Sequence, residues 1–191
     1  MLKKKIIGFD IDGVLTDYGT FLLNEGSKWL GKRVACAEGE EIHDTFDESI
    51  KTENEFWRDH LRDYFGNCPT RQYTAEIMNK LHEKYEIHII TNRYGEDNLS
   101  QKDVEKITRE WLKKNKITYD LLVFNSGSKL GCCKSGSVDI MIEDNVAHIN
   151  EISKHIPVVC FDARYNKECK GKNVHRCYSM YDLYIICNNL L

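Results

Sequence analysis

The sequence predicts an α/β fold: a Rossmann-like, doubly wound parallel sheet with a small helical cap inserted after the first strand. Short apolar runs alternate with segments of helical spacing, which is typical of a parallel sheet with helices on both faces. One interval breaks this alternation, because about sixty residues separate the first strand from the helix before the second, far more than a βα loop needs. The extra length predicts the cap.

Five apolar runs predict the strands, at residues 5–10, 86–91, 121–124, 138–143 and 157–161. Three segments between them carry apolar side chains on one helical face. These side chains are Ala75, Met78, Leu81 and Tyr85, then Val104, Ile107, Trp111 and Leu112, then Val146, Ile149 and Ile152. In such a right-handed sheet, ligands bind beyond the C-terminal ends of the strands. An apolar stretch at 181–191 predicts a last helix on the core.

The cap is predicted to span residues 17–70, and the catalytic core residues 1–16 and 71–191. Short hinges near 16–19 and 66–70 would connect the two parts. Most of the cap's aromatic side chains are expected to form its own core, but Phe46, Phe56 and Trp57 are candidates for the substrate pocket, where a planar base could stack.

Composition excludes several classes of partner. The chain has 191 residues, enough for one substantial core, and a formal net charge of −3 that offers no basic surface for nucleic acid polymers or anionic membranes. No stretch approaches the roughly 18 apolar residues of a membrane span, and the first apolar run is too short for a signal peptide. We therefore expect a cytoplasmic protein whose eight cysteines, which form no C-x-x-C pair, stay reduced.

The first strand ends in Asp10-Ile-Asp12-Gly13. Side chains two residues apart in an extended chain point to the same side, so Asp10 and Asp12 would share one space. Two carboxylates so placed are costly without a cation, and Mg²⁺ prefers such oxygen ligands. Gly13 allows a sharp turn that can present amides to a phosphate. Alone, the segment is also compatible with a solvated turn.

Further strand ends carry matching groups. Thr91 and Asn92 end the second strand, where a hydroxyl and amides could bind phosphoryl oxygens. Lys129 and Lys134 both precede the fourth strand, where a lysine would neutralise phosphate charge. Glu143 and Asp144 end that strand and would complete a metal site. An ordered series of this kind is far less expected by chance than any member alone.

This order of motifs resembles the haloacid dehalogenase (HAD) superfamily of phosphotransferases, over essentially the whole chain. The early helical cap, Ile89-Ile-Thr-Asn-Arg93 and Ile142-Glu-Asp-Asn145 are similar to its 5′(3′)-deoxyribonucleotidase-like branch and the related bacterial nucleotidases. The resemblance implies a phosphatase for a small phosphorylated metabolite, most of all a mononucleotide. A homodimer is compatible with the sequence, which does not fix the oligomeric state.

The resemblance also implies roles for residues. Asp10 would attack phosphorus and form an aspartyl-phosphate, while Asp12 would protonate the leaving alcohol and then activate water. Mg²⁺ would be held by Asp10, by the backbone carbonyl of Asp12 and by Asp144. Thr91, Asn92 and the lysine would bind the phosphoryl oxygens, and Glu143 would orient water at the metal. The pair Glu143-Asp144 stands where the family has two aspartates, and Lys129 fits the family's lysine better than Lys134.

Three other functions remain open at this point. A receiver domain also gathers acids, a threonine and a lysine around Mg²⁺, but its acidic pair follows the first strand and it has no long cap. A phosphate-binding or regulatory protein of the same fold would not need both Asp10 and Asp12. A sugar-phosphate phosphatase would differ from a nucleotidase only in its cap. The histidines, His148 among them, show no ligand spacing.

Overall fold

The computed structural model of the chain describes residues 3–96 and 98–191, which form six strands and eight helices. The strands are β1 (Ile6–Phe9), β2 (Glu86–Thr91), β3 (Leu121–Phe124), β4 (Ile140–Glu143), β5 (Val158–Phe161) and β6 (Val174–Cys177). The helices are α1 (Tyr18–Leu30), α2 (Ile42–Phe46), α3 (Ile50–Asn67), α4 (Thr74–His82), α5 (Gln101–Lys114), α6 (Lys129–Ser135), α7 (Val146–Ile152) and α8 (Met180–Leu190).

The strands form one parallel sheet in the order β3-β2-β1-β4-β5-β6. The chain reverses its direction of winding at β1, which lies between β2 and β4. This arrangement confirms the predicted doubly wound α/β fold and puts the C-terminal end of β1 at the switch point, where open α/β sheets bind ligands.

Four of the five apolar runs form the buried centre of the sheet, and the fifth forms β3, which lies at an edge and is only partly buried. All four residues of β1, β4 and β5 are buried, as expected of strands that are covered by helices on both faces. Of the strands in the described part of the chain, the sequence missed β6 alone. Its residues Val174-His-Arg-Cys177 hold two polar side chains between two apolar ones and lie at the edge of the sheet, so they show no continuous apolar run.

Helices α1, α2 and α3 lie between β1 and α4, in the segment predicted to form the cap. They share a hydrophobic cluster. Its centre holds Leu22, Ile42 and Phe56, none of which has measurable solvent exposure. Val104 of α5 packs into the same cluster, so the cap rests on the core.

The two connections to the cap run side by side. Thr16 and Thr70 form an antiparallel bridge, and the amide of Asp17 donates to the carbonyl of Pro69 over 2.9 Å. These two hydrogen-bonded segments are compatible with a hinge of two strands between the cap and the core. The division of the chain at residues 17 and 70 stays a prediction.

Two further expectations concerned the cysteines and membrane-spanning helices. All eight cysteines are free thiols, and six of them are buried among apolar side chains. Among the helices described, none combines the length and the apolar character that a bilayer crossing requires.

Candidate active site

Two neighbouring strands bring three carboxylates together at the switch point. Asp10 follows β1, Glu143 ends β4 and Asp144 follows it, and the pairing of Phe9 with Ile142 aligns the two strand ends. A carboxylate oxygen from each acid lies within 4.8 Å of the others, and all three residues are buried. Buried carboxylates this close repel one another strongly unless positive charge lies among them.

Lys129 supplies part of that charge. It is the first residue of α6, and its side chain is only 1% exposed. The ammonium lies 2.9 Å from Asp10 Oδ1 and donates to Glu143 Oε2 over 2.7 Å. Lys134 is exposed on the same helix. Five residues along an α-helix turn a side chain by about 140° relative to the first, so only one of the two lysines can face the acids. Of the two candidates, Lys134 is the wrong one for this position.

The pKa values of the three carboxyl groups show how burial and neighbouring charges act on the site. Burial raises the pKa of Asp10 to about 7, although the charge of Lys129 opposes this shift. Burial and the charge of Glu143 raise the pKa of Asp144 well above its usual value. Burial would also raise the pKa of Glu143, but Lys129 and His148 hold it at about 2. One ammonium thus balances only one of the three acids, and the raised pKa values mean that Asp10 and Asp144 tend to hold protons instead. A divalent cation such as Mg²⁺ fits this oxygen-rich site in place of those protons.

The loop after β1 leaves no room for a side chain beside Asp144. Gly13 has a φ of +79°, and a Cβ built on it would lie 1.8 Å from Asp144 Oδ2. The hydroxyl of Tyr165 donates to the same oxygen, and Asn166 Nδ2 donates to the Asp144 carbonyl over 2.7 Å. Gly13 and these two donors therefore fix the position of the Asp144 carboxylate.

Asp12 lies outside the carboxylate cluster and has two other partners. Arg93 Nη2 donates to Asp12 Oδ1 over 2.6 Å, and Arg93 Nε lies 3.0 Å from Oδ2. The hydroxyl of Tyr64, from α3 of the cap, donates to Oδ1 over 2.8 Å. Arg93 belongs to the stretch that carries the resemblance, but its side chain had no predicted role. Nothing local signals this contact, because Arg93 and Asp12 are 81 residues apart.

Thr91 and Asn92 stand beside the cluster at the end of β2. The side chain of Thr91 is fully buried, and its hydroxyl accepts the amide of Arg93 at 3.3 Å. Asn92 Oδ1 accepts from Asn125 Nδ2 at 2.9 Å, which orients the amide group at the wall of the cavity. Their role in phosphate binding stays a prediction.

A cavity of about 450 Å³ opens above Asp10 between the core and the cap. Of the three aromatic candidates, Trp57 lines it, whereas Phe46 and Phe56 are buried in the cap's hydrophobic cluster. The prediction for these two phenylalanines is therefore wrong. Both pack against α1, with the ring centroid of Phe56 5.7 Å from that of Trp29. Helical spacing alone could not distinguish such a face from one turned toward the core.

One wall of the cavity consists of residues that had no predicted role. Tyr18, Glu41 and Glu53 of the cap line it, and His148 of α7 lies on the core side. His148 Nδ1 is 3.5 Å from Glu143 Oε2, so this histidine belongs to the site although its spacing gave no signal. Its position follows from the start of α7 at Val146, because Asn145, directly after Asp144, caps the helix and accepts the amide of His148.

The fold is that of HAD-type hydrolases. Solved structures with this fold include a "predicted phosphatase" from Clostridium acetobutylicum, with a TM-score of 0.64 at 15% identity, covering 98% of this chain and 100% of that one. A haloacid dehalogenase-like hydrolase from Streptococcus pneumoniae gives a TM-score of 0.61 at 15% identity, covering 99% and 100% of the two chains.

The family follows from the sequence. Residues 4–190 match the family described as 5′ nucleotidase, deoxy (pyrimidine), cytosolic type C protein, and the chain belongs to it. A relative from Halalkalibacterium halodurans, named "Putative nucleotidase BH1399", is 25% identical over 182 residues, which are 91% of this chain and 88% of that protein. The protein is thus a phosphatase of the HAD superfamily and of its nucleotidase family, which confirms the resemblance drawn from the motifs.

Proposed function

We propose that the protein is a Mg²⁺-dependent 5′-nucleotidase that hydrolyses (deoxy)nucleoside monophosphates through an aspartyl-phosphate on Asp10. The observation that carries this proposal is the placement of the Asp10 carboxylate at the floor of the cavity, 2.9 Å from Lys129 and within the cluster of Glu143 and Asp144. A nucleophile held there faces any phosphate that enters from the cap side.

The chemistry assigned to the chain runs in two steps. An Asp10 oxygen attacks phosphorus, the bond to the leaving alcohol breaks, and Asp12 gives that oxygen a proton. Water then attacks the phosphorus of the aspartyl-phosphate, Asp12 takes a proton from it, and the bond to Asp10 breaks to release phosphate. Lys129 neutralises charge on the phosphoryl oxygens, and Thr91 and Asn92 bind those oxygens in this proposal.

The residues that would hold Mg²⁺ are Asp10, Asp144 and the backbone carbonyl of Asp12, with Glu143 orienting water beside it. When bound, the ion would neutralise the phosphoryl group and make phosphorus a better electrophile. Its binding would also offset the repulsion among the buried carboxylates, because a single ammonium neutralises only part of their charge.

The aromatic side chains of the cap favour a nucleotide over a bare sugar phosphate as the substrate. The rings of Tyr18 and Trp57 lie nearly parallel along the cavity wall, and flat aromatic surfaces suit a nucleobase. The family assignment points the same way. A sugar-phosphate phosphatase is the alternative that substrate preference would reveal, and a binding or receiver-like role is disfavoured because the family is enzymatic.

Phosphate release from nucleoside monophosphates, deoxynucleoside monophosphates and sugar phosphates, with Mg²⁺ or with EDTA, tests the proposal. We expect turnover with Mg²⁺ that Asp10→Asn abolishes and that the exposed Asp59→Asn leaves unchanged. Acid quenching during turnover should trap a phosphoryl group on the intact protein, visible by mass, and absent from Asp10→Asn. Preference for sugar phosphates, or turnover that survives Asp10→Asn, would refute it.

A further inference from the structure

A second cavity lies beside the two connections between the cap and the core. It has a volume of about 280 Å³, and we call it the hinge cavity. Its wall includes Asp17 and Thr20 from the start of α1, Arg71 from directly after the second connection, and Arg164 and Lys167 from the loop between β5 and β6. A ligand in the hinge cavity would therefore contact the cap, the connections and the core together.

Positive charge prevails among the side chains of the hinge cavity. Three cations and two acids line it, namely Arg71, Arg164, Lys167, Asp17 and Asp162. Both acids already accept hydrogen bonds. Asp162 accepts from Lys167 Nζ over 2.5 Å and from Arg176 Nη1 over 2.8 Å. Asp17 Oδ1 accepts the amide of Thr20 at 3.4 Å. With Arg176 included, four cations stand against two acids, so the hinge cavity attracts anions.

The two arginines of the hinge cavity form no ion pair with a carboxylate in the described part of the chain. Arg71 Nε and Nη2 both donate to the carbonyl of Gly13, over 2.8 and 2.6 Å. Arg164 Nη1 and Nη2 each donate to Thr45 Oγ1 over 3.3 Å, and Nη1 also donates to the Gly39 carbonyl. Because these acceptors are neutral, the charge of each guanidinium is left without a counter-charge.

One donor of Arg164 makes no hydrogen bond. Its Nε is buried and has no partner among residues 3–96 and 98–191. A buried N–H without a partner is costly, and native proteins usually satisfy such a group with a side chain, a water or a ligand. Guanidinium groups suit the oxygens of phosphate and carboxylate groups. An oxyanion beside Arg164 would therefore compensate for the missing bond.

The wall of the hinge cavity is also connected to the active site. The Gly13 carbonyl that Arg71 holds belongs to the loop that carries Asp12. Tyr165 lines both cavities, and its hydroxyl donates to the carboxylate of Asp144. A ligand in the hinge cavity would thus act on the residues that hold the catalytic loop and the Asp144 carboxylate.

We propose that the hinge cavity binds an oxyanion, either inorganic phosphate or the phosphate group of a metabolite, and that the bound anion fixes the cap against the core. The anion lies among Arg71, Arg164 and Lys167, and the hydroxyl of Thr20 is a further donor. Binding there needs neither a metal nor a catalytic residue. The proposal goes beyond the nucleotidase function, and neither proposal depends on the other.

Calorimetric titration of the full chain with inorganic phosphate, in the presence of EDTA, tests the proposal. EDTA removes the metal that would attract phosphate to the active site. We expect one phosphate to bind per chain. Arg164→Gln should weaken its binding by about tenfold or more, because a charge-assisted hydrogen bond is lost. Thr20→Glu places a carboxylate at the hinge cavity and should weaken the binding to a similar degree.

Thr52→Glu is the matched control. Thr52 is the third residue of α3, as Thr20 is of α1, and the amide of each donates to the side chain that caps its helix. The control adds the same charge to the cap outside the hinge cavity and should keep the wild-type affinity. Thermal melts establish that each variant is folded, and Thr20→Glu serves alone if Arg164→Gln is not. No phosphate binding by the wild type, or equal affinity in every folded variant, would overturn the proposal.

Hydrogen exchange measures the effect of the anion on the cap. The amide of Asp17 donates to the Pro69 carbonyl and the amide of Arg71 to the Leu15 carbonyl, each over 2.9 Å, which joins the two connections. Phosphate should slow the exchange of both amides in the wild type and leave it unchanged in Thr20→Glu. Binding that slows neither amide would overturn the claim that the anion fixes the cap.

The same titration with glycerol phosphate distinguishes the two sources of the oxyanion. Tighter binding of inorganic phosphate supports the free ion, and tighter binding of the monoester supports a metabolite. In either case Thr20→Glu must weaken the binding. Because no turnover is measured, a chain that binds phosphate in the hinge cavity but hydrolyses no nucleotide would refute the nucleotidase function alone.

Discussion

Arg93 holds Asp12 by two nitrogens, with Nη2 2.6 Å from Oδ1 and Nε 3.0 Å from Oδ2. The guanidinium is almost completely buried and lies 4.5 Å from the ring centroid of Phe65. Its remaining nitrogen, Nη1, donates to the Phe65 carbonyl at 3.3 Å. A planar guanidinium anchored in this way fixes both the position and the orientation of the carboxylate it binds.

Arg93→Met should lower the free energy of unfolding by about 3 kcal/mol, because it leaves the mostly buried Asp12 carboxylate without its cation. Asp12→Asn in the same chain should restore part of this loss, so the double variant is expected to lose less than the sum of the two single variants. Urea denaturation measures all four proteins. Arg58→Met, on the exposed side of α3, should change stability by less than about 0.5 kcal/mol. Strict additivity would refute the coupling.

Tyr64→Phe should lower kcat/KM for nucleotides by about tenfold, since Asp12 loses a donor that positions it for proton transfer to the leaving alcohol. The kcat/KM for p-nitrophenyl phosphate should stay near the wild-type value. The value of kcat/KM depends only on the steps up to departure of the leaving group. Because nitrophenolate leaves without protonation, these steps do not need the proton of Asp12. Tyr178→Phe, exposed on the surface, serves as the control. An equal loss on both substrates would indicate general disruption instead.

Lys129→Met should destabilise the protein by about 3 kcal/mol or more, because three buried carboxylates then lack their ammonium. It should also abolish turnover. Lys134→Met, exposed on the same helix, should leave the free energy of unfolding within about 0.5 kcal/mol and keep activity. Denaturant titration and phosphate release measure both variants. The reverse pattern would restore Lys134 as the functional lysine.

Gly13→Ala should abolish turnover and weaken Mg²⁺ binding, because the added Cβ would overlap the carboxylate of Asp144 and the backbone has a φ that disfavours alanine. Gly19→Ala is the matched control, since a Cβ there meets nothing within 4 Å and lies in the first turn of α1. We expect it to keep full activity and stability. Calorimetry with Mg²⁺ and activity assays distinguish the two. Normal Mg²⁺ affinity in Gly13→Ala would contradict this account of Asp144.

The stabilisation by Mg²⁺ should grow as pH rises. Without metal, the pKa of Asp10 is about 7 in the fold against 3.8 as the ordinary value, so the folded chain holds a proton that the unfolded chain has released. Its contribution to the free energy of unfolding therefore falls as pH rises from about 4 to 7. Mg²⁺ needs the deprotonated carboxylate, so its binding recovers this loss.

Melting temperatures at pH 5 and pH 7.5, each with Mg²⁺ and with EDTA, measure this effect. The difference between Mg²⁺ and EDTA should be larger at pH 7.5. Glu143, with a pKa of about 2, is ionised at both pH values and contributes equally to each. In Asp10→Asn the difference should become smaller, and the dependence on pH that remains belongs to Asp144, whose pKa burial also raises. A Mg²⁺ effect in the wild type that is the same at both pH values would count against Asp10 as a ligand.

Local patterns were enough to predict most of the fold. The strands at 86–91 and 121–124 have the predicted bounds, because each is a mainly apolar run that polar residues follow, although the second lies at an edge of the sheet and is only partly buried. β6 was missed because an edge strand needs no continuous apolar run. The roles of Phe46 and Phe56 were predicted wrongly, because a helical stripe shows that a face is buried and not which partner buries it.

The sequence by itself determined the acids of the site, since Asp10, Glu143 and Asp144 stand at the ends of strands that a parallel sheet must bring to one edge. The tertiary structure decided which partners these acids have. The choice of Lys129 over Lys134 depends on the rotational phase of a short helix. The contacts of Asp12 with Arg93 and Tyr64 join residues far apart in the chain, and such contacts are set by how the cap and the core pack together, which no local pattern records.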